Sequence, residues 1–154
     1  MPATTPPSWR ACSADLSLPG GASLHLFNLH LGLSGGERRR QAGLLLSADL
    51  LRDAALTAPL VVCGDFNVWM PGPVTRLLRS ELADAAHAAG PTWPSRLPLL
   101  RLDRAYIDAG VSVQGCGVCR EPLAREASDH LPLWMDLEPI AERKGQPRGV
   151  TRTA

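Results

Sequence analysis

Ala22-Ser-Leu-His-Leu-Phe-Asn-Leu-His-Leu31 carries apolar side chains on both of its alternating faces. A run of that kind reads as a strand buried on both sides, hence a central strand rather than an edge. Just beyond it, Ser34-Gly-Gly-Glu37 has the pattern of a capping box, in which the Ser hydroxyl accepts from the Glu amide, so a helix is expected from there to about Leu56. Leu44, Leu51 and Ala55 would form its apolar stripe, with Leu46 and Leu50 beside it. Pro59-Leu-Val-Val-Cys63, ended by Gly64, reads as a second buried strand feeding a loop that begins Asp65-Phe-Asn67. After Pro71-Gly-Pro73 the composition predicts a shorter helix over Val74–Ala89. Strands follow at Leu100–Ile107 and Val111–Val118, joined by the turn Asp108-Ala-Gly110, with a last strand at Leu131–Leu137. Interleaved strands and helices without an internal repeat give an α/β domain.

The remaining composition narrows the function classes. The chain has 154 residues, the size of one domain, with 45% hydrophobic and 20% charged residues and a formal charge of +1. That balance excludes wholesale disorder and the strongly basic surface of a nucleic-acid coat, so any phosphate binding must be local. Of the 16 basic residues only Lys144 is a lysine; Arg38, Arg39, Arg40, Arg76 and Arg79 suit an anionic substrate, or are simply solvated. Four cysteines are too few for a disulfide scaffold, and Cys116-Gly-Val-Cys119 lacks the second pair that a zinc site needs. Residues 1–13 and 139–154 are expected to be flexible tails flanking a partial domain at 14–138. With neither a leader-like segment nor a membrane-spanning run in view, a cytoplasmic location is expected.

Three polar clusters flank the predicted strands, where α/β folds build ligand sites. Asp65 and Asn67 stand two residues apart and offer hard oxygens suited to Mg²⁺, or else form an Asx turn. Asp129-His130 pairs a carboxylate with the side chain most often used as a general base. Asp103, opening a strand, could orient an imidazole and stabilise the imidazolium, or belong to a surface charge pair with its arginine neighbours. His30, two residues after Asn28 and on the same face, could donate to a developing phosphorane oxygen, or be ordinarily packed or solvated.

Taken in order, Asn28-Leu-His30, Gly64-Asp-Phe-Asn67, Arg101-Leu-Asp103 and Ser128-Asp-His130 resemble the motifs of the endonuclease/exonuclease/phosphatase superfamily, the DNase I-like fold. The resemblance implies the C-terminal half of a four-layer α/β/β/α sandwich. It also implies Mg²⁺- or Mn²⁺-assisted hydrolysis of a phosphoester by in-line water attack. On these positions Asp129 resembles a metal-site acid, joined by Asp65; His130 resembles the general base and Asp103 its orienting carboxylate. Asp65 and Asn67 look like the pair that positions the nucleophile and contacts the phosphate, and His30 like the histidine that stabilises charge on the phosphoryl oxygens.

The resemblance covers only the second half of that domain. Family members carry an earlier half with another sheet, an Asn and a metal-binding Glu, whereas Asp15 is the only acidic residue here before Asn28. A large uncovered apolar sheet face is therefore expected, together with a homodimer or the missing N-terminal half as its partner. The expected substrate is a phosphoester in a nucleic acid, a phospholipid headgroup or a small phosphodiester. The alternative is a catalytically silent module that associates with a partner through its uncovered sheet.

Overall fold

The computed structural model describes residues 10–47 and 50–140. Its elements are β1 (Arg10–Ser17), β2 (Ser23–His30), α1 (Gly35–Leu45), β3 (Leu60–Asp65), α2 (Pro73–Arg79), β4 (Ala83–Asp84), β5 (Asp103–Ile107), β6 (Val111–Val118), α3 (Pro122–Ala127) and β7 (Leu133–Pro139). Five strands form one sheet in the order β1-β2-β3-β5-β4, and β6 pairs with β7 in a separate antiparallel hairpin. Only β2 and β3 run parallel, as the α1 crossover between them requires; the other pairs are antiparallel.

β2 is internal, as its two apolar faces demand, and each face feeds a different core. Phe27, Leu29 and Leu31 join Val62 and Tyr106 under α1 and α2, where Leu45, Leu46, Val74 and Leu78 complete a cluster. Leu24 joins Val61, Ala105 and Ile107 on the opposite face, against Val111 and the half-buried Leu133, Met135 and Leu137 of the hairpin. Each fully buried aliphatic side chain contributes about 1.5–3 kcal/mol. The resulting order of helices, mixed sheet and second sheet is an α/β architecture.

The structure corrects several boundaries. β1 begins at Arg10, so residues 10–13 belong to the sheet and not to a tail, while residues 1–9 lie outside the described residues. All eight β1 side chains are exposed. The strand is held by its backbone ladder to β2, which leaves no apolar period to read. At the other end Pro139 still belongs to β7 and the Ile140 amide donates to the Gly110 carbonyl at 2.8 Å; 141–154 lie outside the described residues.

α1 starts at the expected cap, with the Ser34 hydroxyl accepting from the Glu37 amide, but ends at Leu45. Leu45, Leu46 and Leu51 are buried, whereas Leu44 is exposed, as is Ala55. Three consecutive leucines cannot share one helical stripe, and the chain satisfies them by leaving the helix in turns. α2 likewise stops at Arg79, because Asp84 is drawn onto the edge of β5 by Arg79 and Arg101. The strands expected from Leu100 and Leu131 begin at Asp103 and Leu133, and α3 stands between the last two strands, where no element was expected. No helix among the described residues is long and apolar enough to cross a membrane.

Candidate active site

Pairing in the sheet sets three of the candidate residues in one row. His30 is in register with Asp65, and Asp65 with Asp103, across β2, β3 and β5. Partners in register point to the same face, so all three side chains stand on the face that β6 and β7 also cover. Gly64 allows this spacing: its φ is +130°, and a Cβ there would lie 2.0 Å from the Leu29 carbonyl oxygen and 2.8 Å from Asn28 Oδ1. Only a residue without a side chain brings β3 that close to β2. Strand β3 thus runs through Gly64 to Asp65, two residues beyond the expected end at Cys63.

Past Asp65 the chain turns sharply. Asp65 Oδ1 accepts from the Asn67 amide at 2.8 Å, and Asn67 takes a left-handed φ of 50°. The Asx turn foreseen as an alternative to a ligand site is therefore formed, and it is what directs Asn67. The Asn67 side-chain nitrogen donates to the Leu31 carbonyl at 2.8 Å and lies 3.4 Å from His30 Nε2. Between them Phe66 is fully buried, edge-on to Tyr106 with ring centroids 5.2 Å apart, and its amide donates to the Leu102 carbonyl at 3.0 Å.

His130 completes the cluster from the loop before β7. Its amide donates to Ser128 Oγ at 3.1 Å, and its ring Nδ1 lies 2.7 Å from Asp103 Oδ2. The arginine neighbours that were the alternative partners of Asp103 go elsewhere: Arg101 bonds Asp84, and Arg104 turns into the core. His130 Nε2 lies 3.9 Å from Asp65 Oδ2, and His30 Nε2 lies 3.9 Å from the same oxygen. One carboxylate thus sits between two imidazole nitrogens. Burial of the His130 ring disfavours its charge, but the hydrogen bond and charge of Asp103, with smaller attractions from Asp65 and Asp129, outweigh it. The pKa of His130 is raised above the ordinary imidazole value.

Asp129 is exposed; its carboxylate accepts from Trp93 Nε1 at 3.4 Å and its carbonyl accepts from the Ser95 amide at 2.7 Å. The hard oxygens of Asp65 and Asp129 are of the type a divalent cation prefers. Among the described residues, however, no group of three or more His, Cys, Asp or Glu side chains is placed to hold a metal ion. The donors present do not constitute a resident metal site. The cysteines do not add one: all four are free thiols, and none belongs to a group of three or more candidate ligands among the described residues.

Three residues around the cluster were given no role by the sequence reading. Arg10 is in register with His30 and extends the row onto β1; it fell within the stretch read as tail, residues 1–13, so no signal marked it. Trp93 lies in an irregular segment whose reach to Asp129 no local pattern reveals. Arg104 was legible in principle, because strand alternation next to an inward Asp103 sends it to the opposite face.

Comparison with known proteins places this arrangement. The model of the Endonuclease/Exonuclease/phosphatase family matches residues 4–130. The Escherichia coli K12 protein YbhP is 34% identical over 124 residues, covering 76% of this chain and 47% of YbhP. An endonuclease/exonuclease/phosphatase structure from Bacteroides vulgatus superposes with a TM-score of 0.69 at 24% identity, over 84% of this chain and 55% of its own. The human Nocturnin catalytic domain with bound sulfate gives a TM-score of 0.66 at 23% identity, over 84% and 52% respectively. The fold is DNase I-like, and the chain spans about half the length of these relatives, a C-terminal portion of the fold.

Proposed function

Because the chain belongs to the endonuclease/exonuclease/phosphatase family, we propose that it carries the proton-transfer half of a phosphoesterase site and hydrolyses phosphodiester bonds by attack of water. The observation that carries this reading is the His130 Nδ1–Asp103 Oδ2 contact of 2.7 Å, with Nε2 turned toward Asp65. With its Nδ1 proton held by Asp103, neutral His130 presents a lone pair at Nε2 and removes a proton from a water in front of it. Asp103 then stabilises the imidazolium. Asp65 and Asn67 hold that water and a phosphoryl oxygen in place, and His30, on the far side of Asp65, donates to charge that develops on the phosphoryl oxygens.

In this reading Asp65 and Asp129 are the residues whose hard oxygens would face a divalent cation, and no step is assigned to a cation. Mg²⁺ or Mn²⁺ dependence and nuclease activity belong to the same proposal, as does a cytoplasmic location, where four free thiols stay reduced. A second reading, a silent module that joins a partner through its sheet, draws support from exposed Leu16, Val113 and Trp134. The two readings separate in one assay: hydrolysis of bis(p-nitrophenyl) phosphate and of plasmid DNA by the purified chain, with Mg²⁺, Mn²⁺ or EDTA, beside H130A. Turnover lost in H130A supports the first reading; a folded chain with identical background in both proteins supports the second.

A further inference from the structure

Arg104 follows Asp103 on β5 but faces the helix layer, where it is 4% exposed beside the core residue Tyr106. A guanidinium keeps its charge wherever it is placed. Arg104 takes part in no ion pair among the described residues, and its Nε has no hydrogen-bond partner. A position selected for packing alone would hold an apolar residue, since replacing buried ionic groups with apolar ones of similar volume is often neutral or stabilising. The side chain must therefore be explained by what it meets: the guanidinium acts on the buried Tyr106 hydroxyl within the core, and Nη2 donates to the Val68 carbonyl at 2.9 Å, the contact that reaches the site.

Val68 directly follows Asn67, whose left-handed backbone is costly for a residue with a Cβ and persists only where the surroundings over-determine it. The turn is fixed from three sides. Asp65 Oδ1 holds the Asn67 amide, the Leu102 carbonyl holds the Phe66 amide, and Arg104 holds the carbonyl on the far side of Asn67. Because Arg104 is in register with Gly64, it rises from the strand next to the turn it grips.

We propose that Arg104 is a positioning residue: a buried latch on the Val68 carbonyl that keeps Asn67 in its left-handed conformation and its amide directed at His30. It shares β5 with Asp103, so neighbouring residues of one strand set the imidazole of His130 from one face and the Asn67 turn from the other. The inference adds to the site proposed above. Its readout is the conformation of Asn67 and not turnover, so a chain that hydrolyses nothing leaves it standing.

The test is nuclear magnetic resonance on the ¹⁵N-labelled chain as wild type, R104M and R104K, with thermal melts alongside. In R104M the melting temperature is expected to stay equal or rise. The Asn67 side-chain amide and the Asn67 and Val68 backbone amides move, and their order parameters fall from roughly 0.85 to below about 0.6. The His130 ring nitrogens, on the opposite face, stay where they are. R104K, which keeps the charge but not the fork, gives the same changes to a smaller degree. A lowered melting temperature with Asn67 unmoved would assign Arg104 to stability alone and overturn the proposal. If R104M does not fold, R104K decides: unchanged Asn67 and Val68 resonances there overturn it equally.

Discussion

The two flanks of the Asp65 carboxylate are built to different standards. On the β5 side, His130 is 25% exposed at its side chain and Asp103 20%, joined by a short hydrogen bond and backed by Thr92, whose hydroxyl accepts from the Asp103 amide at 3.3 Å. On the β1 side, His30 is 62% exposed, its neighbour in register is Arg10, and every residue of that strand faces solvent. Both imidazoles approach the same Asp65 oxygen at 3.9 Å, so distance does not separate them; support does. A catalytic group acts in proportion to how well its orientation is fixed before the reaction, and only the β5 flank fixes one. The difference teaches that, in the proposed mechanism, the His130 flank is held in place by its neighbours while the His30 flank stands open to solvent.

The largest expected effect breaks that comparison directly. H130A should lower kcat for bis(p-nitrophenyl) phosphate by about 10³, within the usual range for loss of a general base, whereas H30A should cost only about tenfold, because an exposed donor works against bulk water and stabilises developing charge less. Equal losses in the two variants would show that the exposed flank is as preorganised as the buried one, and the asymmetry argued above would be wrong.

A second effect sharpens the comparison at its hinge, the close approach of β3 to β2. In G64A the new Cβ meets Leu29 backbone oxygen at 2.0 Å on a φ of +130°, and neither strand can yield without breaking the ladder. Unfolding in urea should show a loss of about 3–5 kcal/mol. Gly43, inside α1 with nothing within 4 Å of its would-be Cβ, is the internal control. G43A should stabilise by about 0.5–1 kcal/mol. A G64A variant as stable as the wild type would mean that the row of His30, Asp65 and Asp103 does not depend on that contact.

How much of this was legible in the sequence follows from where each residue's constraint lies. β2 and β3 were readable because burial writes apolar or β-branched residues into them, β6 because its valines follow the Asp108-Ala-Gly110 turn, and the capping box of α1 because its bond is local. β1 was not readable, since Arg10-Ala-Cys-Ser-Ala-Asp-Leu-Ser17 is an edge strand held by backbone bonds that leave no trace in side-chain pattern. The end of α1 was misread because Leu44, Leu45 and Leu46 fit several helical phases and tertiary packing chose among them. Among the site residues, His30, Asp65, Asn67, Asp103 and His130 meet in one cluster. The pairing of Asp103 with His130 spans 27 positions; strand placement suggested that Asp103 orients an imidazole, and only the resemblance pointed to which one. Asp84 and its two arginines, which end α2 early, carried no such pointer.

The smallest effect concerns the charge on His130. Asp103 and the neighbouring carboxylates raise its pKa against the opposing effect of burial. The protonated ring therefore favours the folded state fully below the unfolded value of about 6.5, and that contribution is lost as pH rises through the higher folded value. The ring is partly open to solvent, so the energy is screened and modest. D103N removes the charge but leaves an amide able to accept from Nδ1. Its expected consequences are a lower His130 pKa by ring-nitrogen titration and a flatter dependence of stability on pH between about 6 and 8. If the chain turns over substrate, the acid limb of kcat/KM should move to lower pH while the maximal rate falls, because the base is available earlier but its imidazolium is less stabilised. A His130 titration that does not move in D103N would mean that the 2.7 Å contact is not maintained in solution. The buried flank would then have no claim to preorganisation over the open one.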